Sequence, residues 1–205
     1  HAYNALIDDG EAVFASEFQQ VPLANEAQAS GLTQDDVRGR VIAVPRWIVP
    51  AGLETLTAFV DVQEKLLYWA VVAWGQQLRG HLVAYGTYPE QSRPYFTLRD
   101  ARKTLVKAAG GASLEAAIHA GLEQVASEIL DREFSRESDD AVLRVSQMFI
   151  DANWAQTAGV VRDFARRSSW GPRVIPTHGR FVGASGSTLS DKKADKGERG
   201  GSKDR

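Results

Sequence analysis

The chain has 205 residues, 43% of them hydrophobic, and a formal net charge of −2. That is enough for one domain with a real core plus appendages, while the lack of cysteine excludes disulfide scaffolds, thiolate zinc sites and cysteine nucleophiles. The near-neutral balance also excludes a global basic field, so any nucleic-acid contact must be local or must rely on cations to offset carboxylates.

The chain opens on His1 rather than a methionine, as expected of a processed or excerpted start. Its longest apolar stretch, around Leu66 to Trp74, is too short to span a bilayer, and no basic region precedes an apolar segment near the start. A cytoplasmic protein with no membrane contact is therefore expected. Residues 1–52 combine a short amphipathic piece (Ala12, Val13, Phe14, Phe18), Pro22 and a polar stretch from Asn25 to Arg40, closed by Pro45, Pro50 and Gly52. Such a composition predicts a lead-in or linker.

Three strand-like runs follow, Leu56 to Val62, Leu66 to Trp74 and His81 to Tyr88, with short polar breaks that predict an antiparallel meander. Beyond Pro89 and Pro94, Leu114, Ile118, Leu122, Val125 and Ile129 recur at three- and four-residue steps, which predicts one buried helix face with Ser113 as its N-cap. Val142 to Ile150 predicts a fourth strand and Ala155 to Arg167 a helix with Ala158, Val161, Phe164 and Ala165 inward. Arg173 to Pro176 predicts a fifth strand. The expected order is β-β-β-α-β-α-β, an α/β fold spanning 53–182. Residues 183–205 are Gly, Ser, Lys and Asp with little apolar content, so a disordered tail is expected there.

In Phe59-Val60-Asp61-Val62-Gln63 one acid interrupts an apolar strand, where an ionised carboxylate is costly unless paired or metal-bound. The arrangement returns in Phe149-Ile150-Asp151-Ala152-Asn153. A right-handed crossover can set the fourth strand parallel beside the first, bringing both carboxyl ends to one edge. Two like charges there call for a cation, and oxygen ligands suit Mg²⁺ or Mn²⁺. The chemistry that follows is phosphodiester hydrolysis by two ions about 4 Å apart. An Asp at a strand end is also a common turn former or helix cap, so the pair carries the argument and neither residue does so alone.

Other polar and aromatic residues fit plain structural roles as well as functional ones. Glu90 follows the third strand and reads first as a surface turn residue. His178 follows the fifth in a loop bordering the same edge, and His81 and His119 have no ligand-spaced partner. Arg162, Arg166 and Arg167 on the outward side of one helix, and the cluster Arg99, Arg102, Lys103 and Lys107, could meet phosphates, although a solvated helix face has the same composition. Tyr68, Trp69 and Trp74 alternate poorly, so some should pack under the sheet and others face out. No Ser-His-Asp arrangement or glycine-rich nucleotide loop is recognisable.

Phe59-Val60-Asp61-Val62-Gln63, and Phe149-Ile150-Asp151-Ala152-Asn153-Trp154 followed by a helix, resemble the two catalytic strands in the nuclease domain of the large terminase subunit, the DNA-packaging motor of tailed bacteriophages. Phe14 to Pro22 is similar to the stretch with which that family's ATPase domain hands over to its nuclease domain. The resemblance implies a ribonuclease H-like mixed sheet and an endonuclease that cuts concatenated double-stranded DNA. It also implies Mg²⁺ or Mn²⁺ held by Asp61 and Asp151, with the small terminase subunit and the portal protein as partners. Two departures stand out. No G-x-x-x-x-G-K-S/T loop occurs, so the ATPase half would precede residue 1. The family's third carboxylate, after the fifth strand, has no counterpart in an apolar frame, since Asp191, Asp195 and Asp204 sit in the polar tail. A catalytically incomplete remnant that binds DNA or a partner is therefore the alternative. A transposase or junction resolvase on the same fold is a third reading.

Overall fold

The computed structural model describes residues 33–179 apart from 94, 140, 155 and 156. The chain divides into two units, His1–Ala43 and Val44–Arg205. Of the first, helix α1 (Gln34–Arg38) is described. Thr33 caps it by accepting from the Asp36 amide while the Asp36 carboxylate accepts from the Thr33 amide, satisfying two otherwise orphaned donors. The Phe14 to Pro22 stretch and the polar tail lie outside the described residues.

The second unit is built on a strand meander. β1 (Thr55–Val62) buries Leu56, Ala58, Val60 and Val62 and turns Thr57, Phe59 and Asp61 the other way. β2 (Leu67–Trp74) buries Leu67, Trp69, Val71 and Ala73. β3 (Gly80–Tyr88) completes the antiparallel set. This period-two alternation is that of a sheet with one face against a core. Trp69 is under the sheet while Tyr68 and Trp74 face out, with Trp74 Nε1 donating to Thr57 Oγ1 at 2.8 Å. Gly86, level with Trp69, leaves room for its ring: a Cβ there would stand 2.7 Å from Trp69 Cζ2.

After β3 come a short helix α2 (Leu105–Ala108) and the long helix α3 (Leu114–Leu130), whose Ser113 cap accepts from the Ala116 amide. Ile118, Leu122, Val125 and Ile129 are buried against the sheet, each contributing about 1.5–3 kcal/mol. A small hairpin, β4 (Phe134–Ser135) with β5 (Val142–Leu143), precedes β6 (Val145–Asp151), helix α4 (Ala158–Arg167) and β7 (Val174–Thr177). Arg173 ties the far end together, donating to Leu130 O at 2.9 Å and Val145 O at 2.6 Å.

The five-stranded order is β3-β2-β1-β6-β7, with β6 parallel to both β1 and β7. Three antiparallel strands followed by parallel ones, flanked by helices, form a mixed α/β sheet of the ribonuclease H-like type, as the element order predicted. Three differences have physical reasons. The run expected as one strand from Val142 is two, because Val142–Leu143 pairs with the hairpin and the neighbouring Arg144 pairs with Glu133. β6 carries a bulge: Leu56 is level with Val145 but Thr57 with Gln147, and the extra residue, Ser146, donates its hydroxyl to Leu56 O at 2.8 Å. Residues from Val44 onward belong to the sheet unit. Val49 is fully buried, and its amide donates to Ser135 O; the Trp47 ring stacks on Trp69 with centroids 5.5 Å apart.

Candidate active site

β1 and β6 run in register from Phe59 level with Phe149 to Val60 level with Ile150, and Asp61 and Asp151 are the next residues on the two strands. Val60 and Ile150 are fully buried on the helix side, so both aspartates point to the opposite, open face. Adjacent strands lie about 4.8 Å apart, which sets the backbones of the two acids side by side. Both are partly buried.

Each carboxylate is held from nearby in the chain. Gln63, just past the strand, folds back so that its Nε2 donates to both Asp61 oxygens, at 3.1 and 2.9 Å. Asp151 Oδ1 accepts from the Asn153 amide at 3.0 Å, an Asx-type turn that steers the chain out of β6. β7 continues the edge: Asp151 is level with Thr177, whose hydroxyl donates to Ile150 O at 3.1 Å. An ionised carboxylate has about four acceptor sites, so these bonds orient the acids and leave lone pairs on each.

Because β1, β3, β6 and β7 share one direction, their carboxyl ends line a single edge of the sheet. Glu90 follows β3 there, two strands from Asp61, and is exposed; His178 follows β7 there and is exposed. Neither completes a ligand cluster, since among the described residues no three His, Cys, Asp or Glu side chains converge to hold a metal ion. His119 packs edge-on against Phe164 in the core.

The two basic groups occupy different places. Lys65, in the turn that follows Asp61, donates to Leu98 O and Arg99 O, and its carbonyl accepts from the Leu105 amide at 2.8 Å. The exposed Arg99, Arg102, Lys103 and Lys107 are therefore fastened to the edge that carries Asp61. Arg162, Arg166 and Arg167 are exposed on α4, and the last two lie in its final turn, away from that edge. Arg166 also pairs with Asp163 and holds that carboxyl below its ordinary range, which offsets the charge it could offer a phosphate. Sequence reasoning missed the role of Gln63 and the tie through Lys65. The first had a local signal, an amide two residues after the acid; the second is a tertiary contact with none.

A mixed sheet with two acids at the ends of adjacent parallel strands, on an open face, defines the ribonuclease H-like class of architecture. The chain belongs to the terminase large subunit gpA endonuclease domain family, whose profile matches residues 14–205. No curated protein matches it by sequence. Among solved structures it is similar to one titled Vms1 mitochondrial localization core, at 14% identity over 60% of this chain and 45% of that one, with a TM-score of 0.30. It is also similar to Archaeoglobus fulgidus Pelota, at 10% identity over 65% of this chain and 29% of that one, with a TM-score of 0.28. The chain thus spans less than half the length of either. No described helix is long and apolar enough to cross a membrane.

Proposed function

We propose that this chain is the metal-dependent endonuclease domain of a phage large terminase, cutting concatemeric double-stranded DNA during genome packaging, with Asp61 and Asp151 holding the divalent ions. The observation that carries this reading is the shared face and register of the two acids on neighbouring parallel strands. Family membership supports a nuclease role in phage DNA packaging more generally.

The donor chemistry fits a hard cation: two carboxylates with spare lone pairs, oriented by an amide and a backbone N–H, and no soft ligand nearby. Mg²⁺ or Mn²⁺ bound there would supply an activated water and charge stabilisation for the phosphodiester. The chain's own residues do the rest. Asp61 and Asp151 would hold the ions that position the scissile phosphate on the open face, and Gln63 keeps the Asp61 plane from rotating. Lys65 anchors Arg99, Arg102 and Lys103 where they can meet phosphates on either side of the cut, without reading bases. The small terminase subunit and the portal protein are the partners this reading brings, and the host cytoplasm is where it acts.

Asp61→Asn tests the proposal. Mn²⁺-dependent nicking of plasmid should vanish while the melting temperature in metal-free buffer stays equal or rises, because a repulsive charge is gone. Unchanged nicking overturns it. The second reading, a catalytically incomplete remnant, draws on the lack of a third ligating side chain among the described residues. Mn²⁺ titration separates the two, since a remnant would leave the site empty at millimolar metal and nick no plasmid.

A further inference from the structure

Beside Asp61 the sheet is flanked by an aromatic cleft that phosphodiester chemistry does not use. Its volume is about 610 Å³, within the range of small-ligand sites. Tyr68 forms one wall and is level with Asp61 on the same open face, so the cleft begins one strand from the acid pair. Tyr68 stacks almost parallel on Phe96, with centroids 6.4 Å apart and 8° between planes. Tyr85 and Tyr95 also line it, at 69% and 90% exposure, far more than aromatic rings show when their role is packing.

The wall bearing Tyr95 and Phe96 is held in place. Gln91, buried in the loop after β3, donates to Pro89 O and Lys103 O and accepts from the Arg102 and Lys103 amides, clamping both ends of the segment that carries the two rings. Within the cleft the stacked pair Tyr68 and Phe96 is thus preformed, with Tyr85 and Tyr95 free to close on a ligand from its rim. The charges of the cleft are mixed. Glu90 and Glu128 line it together with Arg46 and the exposed Arg93, so the two signs balance, and the Arg46 guanidinium donates to Tyr85 O at 2.9 Å. Arg93 at the lining and the basic residues along the Lys65 loop can meet the phosphates that flank the base. A flat, uncharged ring with exocyclic amines suits the interior, since carboxylates accept from such groups, and its phosphates belong on the rim.

We propose that this cleft captures an unpaired nucleobase from the DNA strand next to the cut, so that the domain binds locally opened DNA in preference to intact duplex. The proposal rests on the endonuclease reading for its choice of DNA as the ligand. An aromatic-lined groove can also take a proline-rich peptide, but continuity with the acid pair through Tyr68 favours the base.

The test measures binding alone, in metal-free buffer, by fluorescence anisotropy with the full 205-residue chain. The probes are a labelled duplex and the same duplex carrying a short bubble of mismatched cytosines. The bubble should bind about tenfold more tightly at equal salt. Tyr85→Ala and Tyr95→Ala, both at exposed positions where folding tolerates the change, should each lower bubble affinity about fivefold or more with duplex affinity unaltered. Phe96→Leu, which keeps the apolar filling, should do the same. Asp61→Asn should retain the preference, so a failed cleavage experiment and a failed capture experiment can be told apart. Equal affinity for the two DNAs overturns the proposal, as does a loss of both affinities in parallel. Occupation of the cleft by a proline-rich peptide with no change in DNA binding also overturns it.

Discussion

The two faces of the central sheet differ in almost every respect. The closed face, under α3 and α4, is made of Leu56, Val60, Val71, Met148 and Ile150, each with essentially no exposure. The open face, built from the alternate residues of the same strands, carries Thr57, Phe59, Asp61, Tyr68, Phe149 and Asp151, and Phe59 is 46% exposed. One face supplies the stability and the other presents chemistry. Changes on the open face should therefore alter function at constant fold, and changes on the closed face the reverse.

The largest separation should come from Asp151→Asn. Metal-dependent plasmid nicking should fall to background, with a melting temperature equal to or above that of the wild type in metal-free buffer; a variant that still nicks would break the assignment of function to the open face. Phe164→Ala, beneath the sheet on α4, should cost about 3–5 kcal/mol in urea denaturation, and a cost under about 1 kcal/mol would mean that the closed face does not carry the stability. Gln63→Ala should weaken Mn²⁺ binding about 10- to 100-fold, as expected when an outer partner of a ligand is lost, with little change in unfolding free energy. Isothermal titration with Mn²⁺ reads this directly.

The smallest effect belongs to neither face. Arg136 beside Asp139 in the β4–β5 hairpin holds that carboxyl at about 2, against an ordinary 3.8. Because the folded value is depressed, the pair's contribution is complete above the ordinary carboxylate range and disappears as pH falls through about 2. Carboxyl NMR titration of Asp139 should show the depressed midpoint, and Arg136→Ala should return it to the usual range while leaving nicking intact.

The contrast between faces was legible in the sequence wherever it rests on alternation. The meander, the buried stripe of α3 and the two acids at strand ends all follow from local pattern. What was not legible depends on partners distant in the chain. Pro45 and Pro50 give residues 44–50 the composition of a linker, yet Trp47 finds Trp69 and Val49 finds the hairpin. The apolar run from Val142 reads straight through Arg144, because periodicity does not say that Val142 and Leu143 pair with one strand and Val145 onward with another. Nor does it reveal that the basic loop after Leu98 is tied to the turn beyond Asp61.

The bulge at Ser146 has a consequence for how this domain tolerates change in length. The surplus residue is absorbed where it occurs: from Thr57 level with Gln147 onward the two strands keep step, and Asp61 and Asp151 stay in phase. Excising the Ser146 codon would therefore straighten the strand and leave the acid pair in phase, whereas excising one between Gln147 and Asp151 would bring Asp151 level with Val60, on the helix side, and insertions in the loops outside the sheet would leave the phase untouched.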